Sequence, residues 1–248
     1  MPLHIPPPAR HTEGSLRLDH LLAAAVRLTQ ELRTSRPTLG ILRGWSRSAR
    51  EQARMLRHGL ASQGIRSTEL SPGSETSEPA APGDGQRHRT HLLVHAGGLP
   101  YDQALRTAAL WDLPLLIERP HHEEPRTLNR YGARRRPVLG VHLPGDVLDI
   151  ALRAATITGL RPHPGNAYLL LDNEKLSAPA GKPLQVSLTE DGELEVHSDT
   201  FAPRRVRRLR YERPWSSYRL DIDGGIARDV RAPLRLEAMP SRLHLLHP

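Results

Sequence analysis

Apolar residues recur along the first 160 residues at two alternating spacings. Leucine and alanine at helical spacing predict helices over residues 15–35, 102–110 and 147–157, and a further helix that begins after Ser46 or Ser48 and runs to about residue 63. Short apolar runs predict strands over residues 38–42, 65–70, 91–95, 113–117 and 137–143. Strands that alternate with helices are typical of a parallel sheet with both faces covered. The predicted fold class is therefore α/β, with a three-layer nucleotide-binding-like domain over residues 38–158.

After about residue 160 the pattern changes to short apolar runs separated by Gly, Pro and Asp. These runs predict strands over residues 167–171, 184–188, 193–197, 206–211, 217–222, 233–238 and 243–246, with no helix among them. A β-sandwich-like domain is therefore predicted over residues 159–248, and residues 1–37 are predicted as an N-terminal extension and helix. The polar segments 71–87 and 118–136 lack apolar periodicity and are predicted as loops.

Composition narrows the class of protein. The 248 residues include no cysteine, which excludes disulfide scaffolds, thiolate metal sites and thiol catalysis. No apolar run approaches the roughly 18 residues of a membrane-spanning helix, and the Pro-rich start does not resemble a signal peptide. We therefore expect a cytoplasmic protein without a transmembrane segment. The pattern predicts no particular oligomeric state.

The net charge of +8 invites a nucleic-acid or anionic-membrane partner. All but two of the 35 cations are arginine, which also fits a coding bias of a GC-rich genome. The sum of charges is therefore weak evidence, and we do not expect nucleic acid to be the partner. The distribution is more informative, because arginines concentrate at residues 134–136 and 204–210. In a strand, Arg208 and Arg210 share one face, while Arg205 and Arg207 share the other.

The clearest local chemical pattern is the strand at 91–95 that runs into Gly97 and Gly98. Glycines between a strand and a helix let backbone amides approach an anion at the carboxyl edge of a sheet. A tight turn explains the same two glycines, so both alternatives stay open. The cluster His121-His122-Glu123-Glu124 is predicted as a solvated loop, and His91 and His95 as hydrogen-bonded histidines, so no metal site is predicted.

The order of several short motifs resembles the diacylglycerol kinase catalytic-domain family, within the NAD kinase and lipid kinase superfamily. Leu39-Gly40-Ile41-Leu42-Arg43-Gly44-Trp45-Ser46 stands where that family has a strand and an Asn-Pro-x-Ser-Gly turn, and Leu93-Val94-His95-Ala96-Gly97-Gly98 stands where it has a Gly-Gly-Asp-Gly-Thr loop. Gly145-Asp146-Val147-Leu148-Asp149 resembles its Gly-Thr-Gly-Asn-Asp turn, and Asp223-Gly224-Gly225 its Asp-Gly-Glu hairpin. The resemblance covers roughly residues 38–248.

The resemblance implies transfer of the γ-phosphoryl group of ATP to a lipid hydroxyl with Mg²⁺ in a cleft between two domains. It places nucleotide contacts at Ser46, Gly97, Gly98 and Gly145, and leaves Asp223 as the catalytic acidic group. Several motif positions depart from the family: Leu99 replaces its aspartate, Pro100 removes an amide donor, and Gly225 replaces its glutamate.

Three functions follow as hypotheses. The eroded motifs favour a non-catalytic or weakly active lipid kinase-like protein with a regulatory or binding role, because one lost transition-state group commonly costs ~10²–10³ in rate. The first alternative is an active lipid kinase that uses ATP and Mg²⁺. The second is a basic nucleic-acid-binding protein. In a lipid-handling protein, Arg205, Arg207 and Arg208 are predicted to meet a lipid or an anionic membrane surface, which would make it peripheral to the membrane.

Overall fold

The computed structural model describes residues 13–32, 34, 36–70, 89–118, 134–159, 166–179, 182–212, 217–231 and 233–248. Over these residues the protein is a mixed α/β structure with one sheet of parallel and antiparallel strands and a second, antiparallel sheet. Among the described helices, none is both long and apolar enough to cross a membrane. The loop predictions for 71–87 and for most of 118–136 lie outside the described residues.

The first part of the chain alternates as its sequence predicts. The elements are α1 (Glu13–Glu31), β1 (Thr38–Leu42), α2 (Arg47–Ser62), β2 (Arg66–Leu70), β3 (Leu92–His95), α3 (Tyr101–Trp111) and β4 (Leu115–Leu116). Helix α2 buries the face that its spacing predicts, which comprises Ala49, Ala53, Leu56 and Leu60. Strands β1, β2, β3 and β4 are parallel neighbours.

The rest of the described chain is strands. They are β5 (Arg134–Leu143), β6 (Val147–Ala151), β7 (Ala154–Gly159), β8 (Asn166–Leu171), β9 (Glu174–Pro179), β10 (Leu184–Leu188), β11 (Leu194–Ser198), β12 (Phe201–Val206), β13 (Arg208–Glu212), β14 (Ser217–Ile222), β15 (Ile226–Arg231) and β16 (Leu234–Leu246). Strand β5 begins at Arg134, so the three arginines predicted in a loop lie in a strand.

The helix predicted over residues 147–157 is wrong. Strands β6 and β7 occupy that segment, and β6 pairs with β5 as an antiparallel hairpin. The turn before β6 places Gly145 and Asp146 at φ values of 82° and 58°, which reverses the chain. A short apolar run does not distinguish a buried strand from a buried helix, so the periodicity alone misassigned it.

The first sheet joins the two ends of the chain. Its order is β2-β1-β3-β4-β16-β13-β8-β9, and β5 pairs with both β16 and β6. The last strand, β16, lies parallel to β4 and antiparallel to β5 and β13. The second sheet has the order β12-β11-β10-β7-β14-β15. The boundary predicted at residue 158 stays a prediction, since the first sheet draws strands from both sides of it.

Three apolar clusters hold these layers together. Helices α1 and α2 pack on one face of the parallel strands, around Leu39, Ile41 and Val94. Helix α3 packs on the other face, around Leu93 and Leu115. The third cluster lies between the two sheets and contains residues from β5, β8, β13 and β16 on one side and from β7, β10, β11 and β14 on the other.

A buried ion triad joins α3, β6 and β15. Arg106 of α3 donates from Nη2 to Asp149 Oδ1 at 2.9 Å, and Arg228 of β15 donates from Nη2 to the other carboxylate oxygen. The side chains of Arg106 and Asp149 are only 4% and 5% exposed. Asp149 Oδ1 also accepts the Ile150 amide at 2.7 Å. A carboxylate buried in this way is tolerated because both of its oxygens are paired.

We predict that Asp149→Ala lowers the free energy of unfolding by about 3–5 kcal/mol, because it removes the carboxylate from two arginines, one of them fully buried. Urea unfolding measures this loss. The matched control is Asp229→Ala, which removes an exposed aspartate from β15 and is expected to change stability by less than about 0.5 kcal/mol. Equal midpoints for the two variants would contradict the structural role of the triad.

Candidate functional site

Two glycine-containing loops meet at the carboxyl end of the parallel strands. The loop after β1 holds Gly44, and the loop after β3 holds Gly97 and Gly98. The Gly44 amide donates to the Gly97 carbonyl at 3.2 Å. A Cβ added to Gly44 would lie 1.9 Å from the Gly98 carbonyl oxygen, so only glycine allows this approach. The two loops therefore pack directly on each other at the edge where α/β sheets bind ligands.

Ser46 lies at this junction as the N-cap of α2. Its Oγ accepts the Ala49 amide at 3.0 Å, which satisfies one of the free donors of the first turn. Gly98 has φ of 72°, and a Cβ there would lie 2.4 Å from the Ala49 Cβ and 3.5 Å from Ser46 Oγ. The structure thus brings Ser46, Gly97 and Gly98 together. The tight-turn explanation accounts for both glycines, because each has positive φ and touches α2.

The loop then leads into α3 without a phosphate cradle. Leu99 is buried at 6% exposure, and its carbonyl accepts His95 Nε2 at 2.9 Å. Pro100 precedes α3 and contributes no side-chain cap. In the first turn of α3, Asp102 accepts Arg153 Nη2 at 3.1 Å. A carboxylate at this helix end competes with any phosphate for the positive end of the helix dipole.

Asp223, predicted as the catalytic acidic group, accepts hydrogen bonds from three backbone amides. It lies at the turn between β14 and β15 with φ of 56°. Its Oδ2 accepts the Leu152 amide at 2.8 Å, and its Oδ1 accepts the amides of Arg153 and Ala154 at 2.8 and 3.1 Å. Three amide donors therefore hold the carboxylate against the bend between β6 and β7. Asp223, Gly224 and Gly225 form the turn of the antiparallel β14–β15 hairpin.

The same arrangement occurs at a second hairpin. Asp172, between β8 and β9, has φ of 48°, and its carboxylate accepts the amides of Arg207 and Arg208 at 2.8 to 3.2 Å. These amides lie where the chain leaves β12 and enters β13. An aspartate in a left-handed turn that anchors a neighbouring bend is thus a repeated structural device in this protein. Its repetition argues that Asp223 is a structural residue.

The remaining predicted contact, Gly145, stands apart from this junction. It lies in the β5–β6 turn, and a Cβ built there would meet nothing within 4 Å. Asp149, which the resemblance aligns with an acidic family position, is enclosed by Arg106 and Arg228. Of the five predicted site residues, Ser46, Gly97 and Gly98 are adjacent. Neither Asp223 nor Gly145 makes a described contact with these three.

These residues do not fit a site for Mg²⁺ and ATP. Magnesium needs carboxylate oxygens with free lone pairs near the phosphates. Asp149 and Asp223 are bonded to protein donors, and the apolar Leu99 is buried at the position of the family's aspartate. No group of three or more His, Asp or Glu among the described residues is arranged to hold a metal ion.

Of the histidines singled out in the sequence, His91 accepts the Thr38 amide at 3.3 Å. The cluster at residues 121–124 lies outside the described residues.

A separate cleft of about 840 Å³ lies along the edge strand β2 and beside the first residue of β1. Its lining includes Thr38, Arg57, Arg66 and Arg89. Arg57 also lies 3.6 Å from Glu69, which reduces the positive charge there. The cleft shares none of the residues predicted as nucleotide contacts, so it does not support them.

The arginine run divides between the two sheets at Arg207. Arg204 and Arg205 lie on β12 in the second sheet, within 3.8 Å of Glu174 and 3.9 Å of Asp191 respectively. Arg208 and Arg210 lie on β13 in the first sheet, so these two do share a face. The single strand predicted over 206–211 is wrong, and with it the face shared by Arg205 and Arg207. Asp172 causes the break, because it holds the amides at 207 and 208.

Sequence reasoning missed the ion triad and the role of Asp172. The signal for the triad was present as a lone carboxylate in the strand Val147-Leu148-Asp149-Ile150-Ala151 and a lone arginine in the apolar helix α3. A charge within an apolar segment implies a buried partner, because burying it alone is too costly. The partner itself, Arg228, lies 79 residues away from Asp149 and could not be identified from spacing.

We predict that Asp223→Ala lowers the free energy of unfolding by about 2–4 kcal/mol, because three amides lose their acceptor and alanine is strained at positive φ. Asp223→Asn should cost about 1 kcal/mol, since asparagine keeps an acceptor oxygen and tolerates this backbone conformation. Chemical denaturation of both variants tests the order. Equal losses for the alanine and asparagine variants would refute the anchoring role.

Stability is also expected to fall in mild acid because of His95. Burial lowers the pKa of His95 below its usual 6.5. The unfolded chain therefore takes up a proton below about pH 6.5 that the folded protein resists, and the free energy of unfolding decreases as the pH falls. His95→Gln retains a donor for the Leu99 carbonyl and should make this decrease smaller.

Urea unfolding above and below about pH 6.5 measures this decrease in the free energy of unfolding. Burial also lowers the pKa of His244, so part of the decrease should remain in the variant. His58→Gln, on the exposed side of α2, is the control that should leave the decrease unchanged. An unchanged decrease in His95→Gln would count against the assignment to His95.

Comparison with known proteins adds no family. No family model matches the chain, and no curated protein is similar to it. The resemblance to the diacylglycerol kinase family therefore depends on the quoted motifs alone. The function has to be argued from the contacts of the described residues.

Proposed function

We propose that this protein is a non-catalytic lipid kinase-like protein that acts as a binding module. In this proposal a nucleotide-binding-like domain is followed by a β-sandwich-like domain, and the junction of the glycine loops is the remnant of a phosphate site. The observation that carries the proposal is that Asp223, the predicted catalytic group, accepts three backbone amides, and that Asp149, the aspartate of the Gly145–Asp149 motif, is paired with two arginines.

Phosphoryl transfer depends on positioning and on neutralising charge at the phosphates. A base must also lie where it can reach the proton of the attacking hydroxyl. Both carboxylate oxygens of Asp223 accept backbone amides of residues 152–154, which hold this side chain at the bend between β6 and β7. Leu99 and Pro100 remove a further acceptor and a further donor from the loop. Each loss lowers the rate, and neither Asp149 nor Asp223 is left without protein donors on its carboxylate oxygens.

The direct test is incubation of the purified protein with Mg²⁺, ATP and diacylglycerol, followed by measurement of phosphatidic acid. We expect no product above the background without protein, and the same result for Asp223→Asn. A folded diacylglycerol kinase of known activity serves as the positive control for the substrate preparation.

Robust turnover would contradict the proposal and favour the active lipid kinase. The Asp223→Asn variant then becomes informative, because it retains most of the anchoring hydrogen bonds. Loss of turnover in a variant that remains folded would assign a catalytic role to Asp223. Unchanged turnover would place the base elsewhere in the chain.

A further inference from the structure

The outward face of the first sheet carries a row of cations beside two exposed apolar side chains. The register of β9, β8, β13 and β16 places these residues side by side across the sheet. Leu170 on β8 is paired with Lys175 on β9 and with Arg210 on β13. Arg210 is paired with Arg235 on β16. With the adjacent Tyr168 and Arg208, these residues form what we call the cationic face: Tyr168, Leu170, Lys175, Arg208, Arg210 and Arg235.

Alternation along each strand shows that these side chains point away from the core. Leu169 and Leu171 of β8 and Leu209 of β13 are buried between the sheets, whereas Tyr168 and Leu170 are 46% and 41% exposed. Tyr168 and Leu170 therefore form a small exposed apolar patch that lies among the cations of this face.

The charges of this face are incompletely balanced. Arg210 lies 2.6 Å from Glu212, and Arg235 lies 3.9 Å from Glu237. Glu237 is shared with His142, at 2.8 Å. The Lys175 ammonium lies 5.4 Å from the centre of the Tyr168 ring.

The cationic face therefore has two more cations than the carboxylates that face them. Arg210 and Arg235 are directly opposed and repel each other, and Glu212 and Glu237 offset part of this repulsion.

We propose that the cationic face docks on an anionic membrane surface. A sheet face is broad and shallow, and the row from β9 to β16 spans roughly 14 Å at the usual strand spacing. Tyrosine favours the boundary between lipid headgroups and hydrocarbon, and leucine favours the apolar side of it. Lys175, Arg208, Arg210 and Arg235 then lie at the level of the lipid phosphates.

An anionic membrane fits this face better than a nucleic acid does. Phosphate contacts would use the arginines, but they leave the exposed Leu170 without a role, and Tyr168 is the one aromatic ring of this face that could stack on a base. Of the three arginines predicted from the sequence to meet a lipid surface, Arg208 belongs to the cationic face, whereas Arg205 and Arg207 do not. It is remote from the glycine-loop junction, so it depends on no property of the phosphate site.

Sedimentation with lipid vesicles tests the proposal. We expect the protein to bind vesicles of phosphatidylcholine with about 30% phosphatidylserine, to bind pure phosphatidylcholine much more weakly, and to dissociate as salt is added. Each cation near such a surface is worth about fivefold in partitioning, so Arg208→Gln with Arg210→Gln should reduce binding about thirtyfold. Leu170→Ser should reduce it about threefold to tenfold through lost apolar contact.

Matched controls come from outside the cationic face. Arg219→Gln removes an exposed arginine from β14 in the second sheet, and Val147→Ser removes an exposed apolar side chain from β6. Both should bind vesicles as the unaltered protein does. Circular dichroism and thermal unfolding of every variant show that lost binding is not lost folding.

Several outcomes would overturn the proposal. They are absence of binding to the anionic vesicles, equal binding to neutral and anionic vesicles, and equal binding by the face variants and the controls. Tighter binding to a single-stranded oligonucleotide than to anionic vesicles, lost in Arg208→Gln with Arg210→Gln, would assign the face to nucleic acid instead. The assay contains no ATP, so its result is independent of the kinase assay.

Discussion

The structure depends most on how the last strand, β16, is accommodated between the parallel strands and the sandwich. Its final residues lie parallel to β4, and its first half pairs with β13 and β5. It also contributes side chains to all three apolar clusters: Leu234 and Leu236 between the sheets, Leu243 and Leu245 under α3, and Leu246 under α1 and α2. One strand thus couples the stability of both predicted domains, and neither can lose it without exposing apolar surface.

The strand achieves this with a local irregularity. Its register with β5 shifts between Met239 and Leu243, and Ser241 has φ of 60°. Pro240 lies within this shift, where a residue without an amide donor interrupts no ladder hydrogen bond. From the sequence, residues 233–238 and 243–246 are predicted as two strands on either side of this proline. The bulge explains why one strand can contain the proline and still pair on both sides.

Local patterns predicted the parallel part well, because its elements follow from short-range rules. The cap at Ser46, the inner face of α2 and the strand at residues 38–42 each depend on residues within one or two turns. Prediction failed where the outcome depends on distant partners. Residues 147–157 form strands because β5 and the anchoring Asp223 define their bends, and Asp223 is some 70 residues from the amides it binds.

The same distinction explains the candidate site. Its glycines could be predicted because positive φ and close approach of two loops both favour glycine, which is visible in the sequence. Whether Asp223 is a base or an anchor depends on which donors surround it. Its three donors are backbone amides, which every residue except proline has, so the sequence could not identify them.

Gly44 and Gly98 are explained by packing alone, since a Cβ at either position would overlap the neighbouring loop or helix α2. Retained glycines are therefore weak evidence for a retained activity. The contacts of the acidic residues are the stronger evidence, because both oxygens of Asp223 accept backbone amides and both oxygens of Asp149 accept arginines.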